Sequence, residues 1–416
     1  MRPWQVLIFI ASVMAILGAL YWAFPGKDEP APICELVEPV DTIAEFPVLA
    51  QEDTVVQEEP APKPVIPKVT VDSTTDSRVF LASFYAALSQ TSERVVRVMH
   101  YGDSQIEEDR ISQQIREKLQ ARYGGRGVGL MPLAQTIPTL TVKQDLYLND
   151  RFVTPLQGPQ RYLVYGPKRT QRTDGLYGPM GQMAQMNDSL VPGSEQIRTI
   201  CHPIVSTALY ERWKVFADSS VYYTCSGDTV FLNGQGNVYG LSQESRTGII
   251  VDNIPMRGCI GLVFNKIDST QLASFYHEQN VRLLILQFGG NAIPSNQNPG
   301  TIAAIVKGLR QQVRFLKQCA PEASILFVGP SDMLTQTDGE WTTYPMVPYM
   351  DRLLRKMALE EQIAYFSLFR WMGGAGSMMR WQEVGLAGSD GVHFTRAGAR
   401  KAGNAVADWL LEKSEF

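Results

Sequence analysis

A serine hydroxyl is a weak nucleophile at neutral pH. It needs a base within hydrogen-bond reach, and the base needs a carboxylate to orient it. Two short stretches of this chain offer that set: Gly102-Asp103-Ser104, and Asp390-Gly391-Val392-His393 far downstream. Of the four histidines, His100, His202, His277 and His393, only His393 follows a D-x-x spacing and precedes a helix-start signal, Thr395-Arg396-Ala397. Ser104 is the expected nucleophile, His393 the base and Asp390 the orienting acid. Their separation in sequence is no obstacle, because the fold assembles such sets. Read singly, Asp390 is a turn residue and His393 a surface histidine; the combination carries the catalytic reading.

Acyl transfer also needs preorganised donors for the oxyanion of the tetrahedral intermediate. Gly289-Gly290-Asn291 follows an apolar run ending at Phe288, where the glycines permit a sharp turn and Asn291 offers a side-chain amide. The same residues also suit an ordinary strand-end turn. Gly258 is a second expected donor through its backbone N–H, with Gly261 the alternative. The third is the N–H of Ser104 itself, expected in the first turn of a helix whose positive end favours negative charge.

These residues need a frame. Arg94 to Met99 reads as a buried strand leading into Gly102-Asp103-Ser104, and a helix is expected next, with Ile106, Ile111, Ile115 and Leu119 at helical spacing. Further buried strands are expected over 281–288, 324–329 and 363–368, and helices over 301–319, 347–361 and 396–412. Strands alternating with helices imply a parallel sheet covered on both faces, with its site at the carboxyl ends of the strands. The stretch from about Gln135 to Arg246 lacks helical periodicity and is rich in Tyr, Thr, Val and turn residues. It reads as an antiparallel β-sandwich inserted into the α/β domain. The expected organisation is therefore an α/β domain over 76–134 and 247–416, interrupted by a β-rich domain over 135–246. Trp371, Gly373, Gly374, Gly376, Met378, Met379 and Trp381 read equally as a wall of the acyl pocket or as a loop with incidental glycines.

Trp4 to Phe24 is apolar except for Gln5 and Ser12, with Arg2 the only charge before it. Its length corresponds to roughly 31 Å of helix, enough to cross a hydrocarbon core. An N-terminal transmembrane anchor over 1–24, with the rest extracytoplasmic, is favoured over a cleaved signal segment. Residues 25–75 read as a Pro- and acid-rich disordered linker, with ten acids and no Lys or Arg between Asp28 and Pro60. The five cysteines show no C-x-x-C spacing, so neither a zinc site nor any other cofactor is expected. Outside the cytoplasm a disulfide is permitted, Cys201 with Cys225 being the expected pair. The net charge of −4, with no basic run in the folded part, argues against a nucleic-acid partner.

Taken together, Gly102-Asp103-Ser104, Gly258, Gly289-Gly290-Asn291 and Asp390-Gly391-Val392-His393 resemble, in order and position, the four blocks of the SGNH, or GDSL-like, hydrolases. The resemblance covers the α/β part. It implies a flavodoxin-like three-layer fold and metal-free ester hydrolysis or acyl transfer, with catalytic Ser104, His393 and Asp390 and an oxyanion hole of Ser104, Gly258 and Asn291. Gln105 stands where many members have Leu, and Ala292 where many have Asp or Glu. An extracytoplasmic domain of this type split by a β insertion is similar to peptidoglycan O-acetylesterases, in which the insert resembles a carbohydrate-binding module. The implied substrate is an acetylated cell-envelope glycan, and the implied enzyme a carbohydrate O-acetylesterase. An O-acetyltransferase using the same triad and an inactive membrane-tethered glycan-binding protein are the alternatives. Tyr210, Trp213, Tyr222, Tyr223 and Tyr239 of the insert suit sugar stacking, and equally suit a sandwich core.

Overall fold

The computed structural model describes residues 76–186 and 196–412. The expected anchor (1–24) and linker (25–75) lie outside them. Among the described residues no helix is long and apolar enough to cross a membrane.

Five strands and five principal helices alternate along the chain: β1 (Val95–Gly102), α1 (Ser112–Tyr123), β2 (Gly248–Pro255), α2 (Ser269–Glu278), β3 (Val281–Gln287), α3 (Pro299–Cys319), β4 (Ser324–Gly329), α4 (Met346–Glu360), β5 (Ala364–Ser367) and α5 (Arg396–Leu411). The strands are all parallel, in the order β2-β1-β3-β4-β5. Every residue of β1 and β4 is buried, as a sheet covered on both faces requires. The two-residue period of a strand sorts the side chains. Met99, Tyr101, Leu284 and Leu286 pack with α2, α3 and α4. Val96, Val98, Leu283 and Ile285 pack with α1 and α5 on the other side. The result is three layers, α/β/α, with the flavodoxin strand order.

Local signals explain where the helices begin. Asn298 accepts hydrogen bonds from Gly300 N and Thr301 N just before Pro299, and Thr395 accepts one from Gly398 N at the start of α5. One expectation fails at this level: no α-helix opens at Ser104. A 3₁₀ turn, Ser104–Asp109, intervenes, with Glu107 extended and Glu108 at φ 60°. The chain is drawn out of helical geometry where Glu107 pairs with Arg257 at 2.6 Å and Asp109 with Arg116 at 2.5 Å. The helix-dipole contribution expected at Ser104 is therefore absent. β2, α2 and a hairpin of Leu334–Thr337 with Glu340–Thr343 are further elements seen only in the structure.

Between α1 and β2 the strands turn antiparallel. One sheet runs in the order Arg151–Val153, Val142–Leu148, Ile197–Pro203, Thr229–Gly234, Val221–Ser226. The other contains Gly129–Met131, Gly236–Glu244, Gln182–Met186 and Gln160–Leu163, with Arg212–Ala217 also on Gly236–Glu244. Val142, Ile197, Val230 and Leu232 of the first sheet share an apolar cluster with Met131, Ala184, Val238 and Leu241 of the second. Cys201 and Cys225 are both free thiols. Their strands flank Thr229–Gly234 on opposite sides. Two strand spacings, roughly 10 Å, exceed the reach of a disulfide, so the expected pair does not form.

A buried charge cluster joins the parallel sheet to the antiparallel strands. Arg97 of β1 is fully buried and lies 3.2 Å from Asp252 of β2. Its other terminal nitrogen pairs with Glu244 at the end of Gly236–Glu244. Glu244 also receives Arg212 at 2.9 Å and Lys214 at 2.8 Å. Burial by itself raises the Glu244 pKa, but Arg97 and Lys214 outweigh it and hold it at about 2, against an ordinary 4.5. A carboxyl whose folded pKa is depressed contributes stability that is complete above its unfolded pKa and is lost as pH falls through the folded value. Glu244→Gln should therefore destabilise the protein by about 3–5 kcal/mol at neutral pH, because Arg97 is left short of a buried partner. It should also flatten the loss of stability between pH 4.5 and 2, as read by urea unfolding at each pH.

Candidate active site

The carboxyl ends of β1, β2 and β3 each deliver one expected block: Asp103-Ser104 after Gly102, Gly258 after Pro255, and Gly289-Gly290-Asn291 after Gln287. β1 and β3 are the neighbours at which the strand order reverses, the usual position of a site in such sheets. Asp103 shapes the first block by accepting a hydrogen bond from Gln105 N at 2.9 Å. His393 arrives on the loop before α5. There the Asp390 Oδ1 atom accepts hydrogen bonds from Val392 N and His393 N, both 2.9 Å, and Gly391 takes φ 70°. A Cβ at Gly391 would lie 2.9 Å from that of Leu334, so the turn needs glycine for both conformation and space.

The structure brings Ser104, His393 and Asp390 together. Ser104 Oγ lies 2.8 Å from His393 Nε2, and His393 Nδ1 lies 2.6 Å from Asp390 Oδ2. A carboxylate only accepts, so Nδ1 carries the ring proton and Nε2 is free to accept the Ser104 hydroxyl. Burial acts to raise the Asp390 pKa, but hydrogen bonds from the His393 ring and from the His393 and Val392 amides prevail and hold it below its ordinary value. The carboxylate therefore stays ionised beside the imidazole. Asp103, buried at the cleft, is pushed up to about 6 by burial, against the hydrogen bond from the Gln105 amide.

Asn291 lines the cleft together with Ser104 and His393, whereas Gly258 is not part of that lining. Asn291 Nδ2 donates to Cys259 O at 3.3 Å, which orients the carboxamide and leaves its second N–H without a partner among the described residues. The amides of Ser104 and Gly258 make no hydrogen bond among the described residues. Gly261, the alternative, faces inward: its amide donates to Cys259 Sγ, and a Cβ there would run into Phe288 and Leu309.

Two side chains that composition and spacing did not single out for catalysis hold this geometry. Gln105 grips both sides of His393. Its Nε2 donates to Val392 O at 2.6 Å and its Oε1 accepts from Phe394 N at 3.4 Å. A leucine here could make neither bond. Arg110 donates to Gln105 O at 3.0 Å, to Phe394 O at 3.4 Å and to Ser104 O, so one guanidinium ties the serine turn to the histidine loop. The other expected features are elsewhere. His100 is fully buried, hydrogen-bonded to Ser112 and Gln287, and burial lowers its pKa to about 4. Trp371, Met378 and Trp381 belong to short helices, Leu368–Met372 and Ser377–Glu383, packed in the core beside α5; they form no wall of the cleft. Tyr210 and Trp213 donate to Gly227 O and Tyr239 to Asp218, while Tyr222 and Tyr223 are exposed. Among the described residues no group of three His, Cys, Asp or Glu side chains is placed to hold a metal ion.

No protein-family model matches the chain, and no curated protein matches it. Among solved structures, a peptidoglycan O-acetylesterase superposes with a TM-score of 0.63 at 21% identity, over 82% of this chain and 97% of that one. The chain has an SGNH/GDSL-like hydrolase fold. Shorter matches include a carbohydrate acetylesterase from Sinorhizobium meliloti, with 17% identity and a TM-score of 0.29 over 39% of this chain and 79% of that one. An acetyl xylan esterase gives 13% and 0.27 over 39% and 80%.

Removing the Gln105 grip should free the histidine loop without disturbing the sheet. In Gln105→Leu, the Phe394 amide should exchange with deuterium roughly five- to thirtyfold faster, the effect of losing one or two hydrogen bonds of about 1 kcal/mol each. Amides of β1 and β3 should be unchanged.

Proposed function

We propose that this protein is a serine esterase that removes acetyl or other short acyl groups from a cell-envelope glycan such as peptidoglycan. The observation that carries this reading is the continuous hydrogen-bonded chain Ser104–His393–Asp390 beside unoccupied amide donors. As Ser104 Oγ attacks the ester carbonyl carbon, His393 Nε2 takes its proton. The imidazolium formed is stabilised by the ionised Asp390. The negative charge moves to the carbonyl oxygen, where the Ser104 and Gly258 amides and the Asn291 side chain serve as donors. The tetrahedral adduct collapses, the bond to the glycan oxygen breaks, and His393 returns the proton to that oxygen. Water then attacks the acyl-serine with His393 again as base, releasing the carboxylate and restoring Ser104.

The size of the cleft favours a small acyl group. Bounded by Ser104, Asn291, Pro294, Met333 and His393, it holds a cavity of about 40 Å³, room for about three water molecules. The glycan reading is supported by the fold shared with a peptidoglycan O-acetylesterase. The two antiparallel sheets over a common core support an inserted β-sandwich module, on which the exposed Tyr222 and Tyr223 are suited to stacking on sugar rings. The apolar run from Trp4 to Phe24 supports membrane anchoring with the catalytic part extracytoplasmic, periplasmic in a two-membrane bacterium.

Ser104→Ala should abolish hydrolysis of 4-nitrophenyl acetate, and a fluorophosphonate should label Ser104 alone, as located by peptide mass spectrometry. Full residual turnover in Ser104→Ala would overturn the assignment. Asn291→Ala should lower kcat by roughly 10²–10³ while leaving KM nearly unchanged, because the donor acts on charge that develops only in the transition state. Acetate release from O-acetylated peptidoglycan, with no transfer to an added chito-oligosaccharide, is the expected outcome with the natural class of substrate.

A further inference from the structure

A larger cavity, about 390 Å³, lies between the antiparallel strands and the carboxyl end of β2. That volume is in the range of small-molecule sites, ~300–1,000 Å³. Leu130, Met131, Leu163, Met180 and Ile254 make its wall largely aliphatic. Five charged side chains also reach it: Glu107, Asp109, Arg116, Arg161 and Arg257. Four of them pair off, Glu107 with Arg257 at 2.6 Å and Asp109 with Arg116 at 2.5 Å. Arg161 is left over. Among the described residues it has no carboxylate partner, and its one hydrogen bond runs from Nη2 to Gln182 Oε1 at 3.1 Å.

Two further donors stand beside it. Tyr165 lines the same cavity as Arg161, and its hydroxyl makes no hydrogen bond among the described residues. Gln182, whose oxygen is taken by Arg161, keeps its amide N–H groups free. Strand pairing explains the cluster: Leu163 lies opposite Gln182, and Arg161 opposite Ala184, in neighbouring antiparallel strands. A guanidinium withdrawn from water without a counter-charge is costly, and burial lowers its pKa. A planar, two-oxygen anion is what its fork of donors fits best. The charge excess of one and the aliphatic wall favour a monoanion with an apolar body over a phosphate or a polyhydroxylated acid.

We propose that this cavity binds a carboxylate carried on a small apolar body, its oxygens held by the Arg161 guanidinium and the Tyr165 hydroxyl. A free aliphatic acid has that chemistry. Such an acid is not an ester, so its binding is read separately from the chemistry at Ser104.

Calorimetric titration of the full chain with octanoate tests this. Octanoate should bind, and octanol, lacking the charge, should bind at least roughly tenfold more weakly. Arg161→Gln should weaken binding by roughly ten- to a hundredfold with an unchanged melting temperature. Leu163→Trp, which fills the cavity, should abolish it. Failure of octanoate to bind, or equal affinity in Arg161→Gln, overturns the proposal whether or not Ser104 is found to be an active nucleophile.

Discussion

A hydroxyl and an imidazole 289 residues apart in the chain sit 2.8 Å from one another, and no local conformational preference can enforce that distance. The parallel sheet supplies the fixed reference. β1 lies inside it, bonded on one side to β2 and on the other to β3, so the end of β1 cannot move independently of its neighbours. Ser104 leaves that end through a turn held by Asp103. The histidine loop is then pinned to the serine turn by direct bonds: Gln105 to both neighbours of His393, and Arg110 to carbonyls on both segments. Leu334 N, donating to Gly391 O at 2.9 Å, holds the loop from a third direction. Each bond is worth little alone, but a base misplaced by about 1 Å costs rate steeply.

The interior under the site is partly ionic. Arg97 binds Asp252 and Glu244, and Asp252 Oδ1 also accepts from Leu130 N at 2.7 Å. Such a cluster is a poor source of net stability compared with apolar packing of the same volume, because its charges must be stripped of water. What it supplies here is register. The two terminal nitrogens of the guanidinium find their partners only when β1, β2 and Gly236–Glu244 occupy one mutual arrangement. That arrangement sets the antiparallel strands beside the carboxyl end of β2 and so encloses the larger cavity. The same logic applies at Glu107 and Asp109. Their pairing with Arg257 and Arg116 breaks the helix that their sequence would otherwise continue, and gives Ser104 a short turn instead of a helix end.

Much of this was readable beforehand because it depends on local patterns. Apolar runs at 94–99, 281–288 and 324–329 announce strands buried on both faces, and Thr395 announces a helix start; α3 starts at Pro299, two residues before the expected 301. β2 escaped notice because Asp252 and Asn253 interrupt its apolar run; their partners, Arg97 and Ser112, are distant in sequence. Gln105 looked like a departure from a pattern that often has Leu, and its use became visible only with Val392 and Phe394 beside it. The Cys201–Cys225 pairing failed for a related reason: cysteine spacing says nothing about an intervening strand.

Residue chemistry and periodicity were enough to name a serine, a histidine and a carboxylate as a reactive set and to predict a layered α/β frame, because those properties are carried by side chains and their neighbours along the chain. Contacts between remote segments settled the rest: the turn after Ser104, the grip on His393, the free thiols of Cys201 and Cys225, and the guanidinium of Arg161 that meets no carboxylate among the described residues. Each depends on which charges and donors meet in space, and a linear order of residues does not record that.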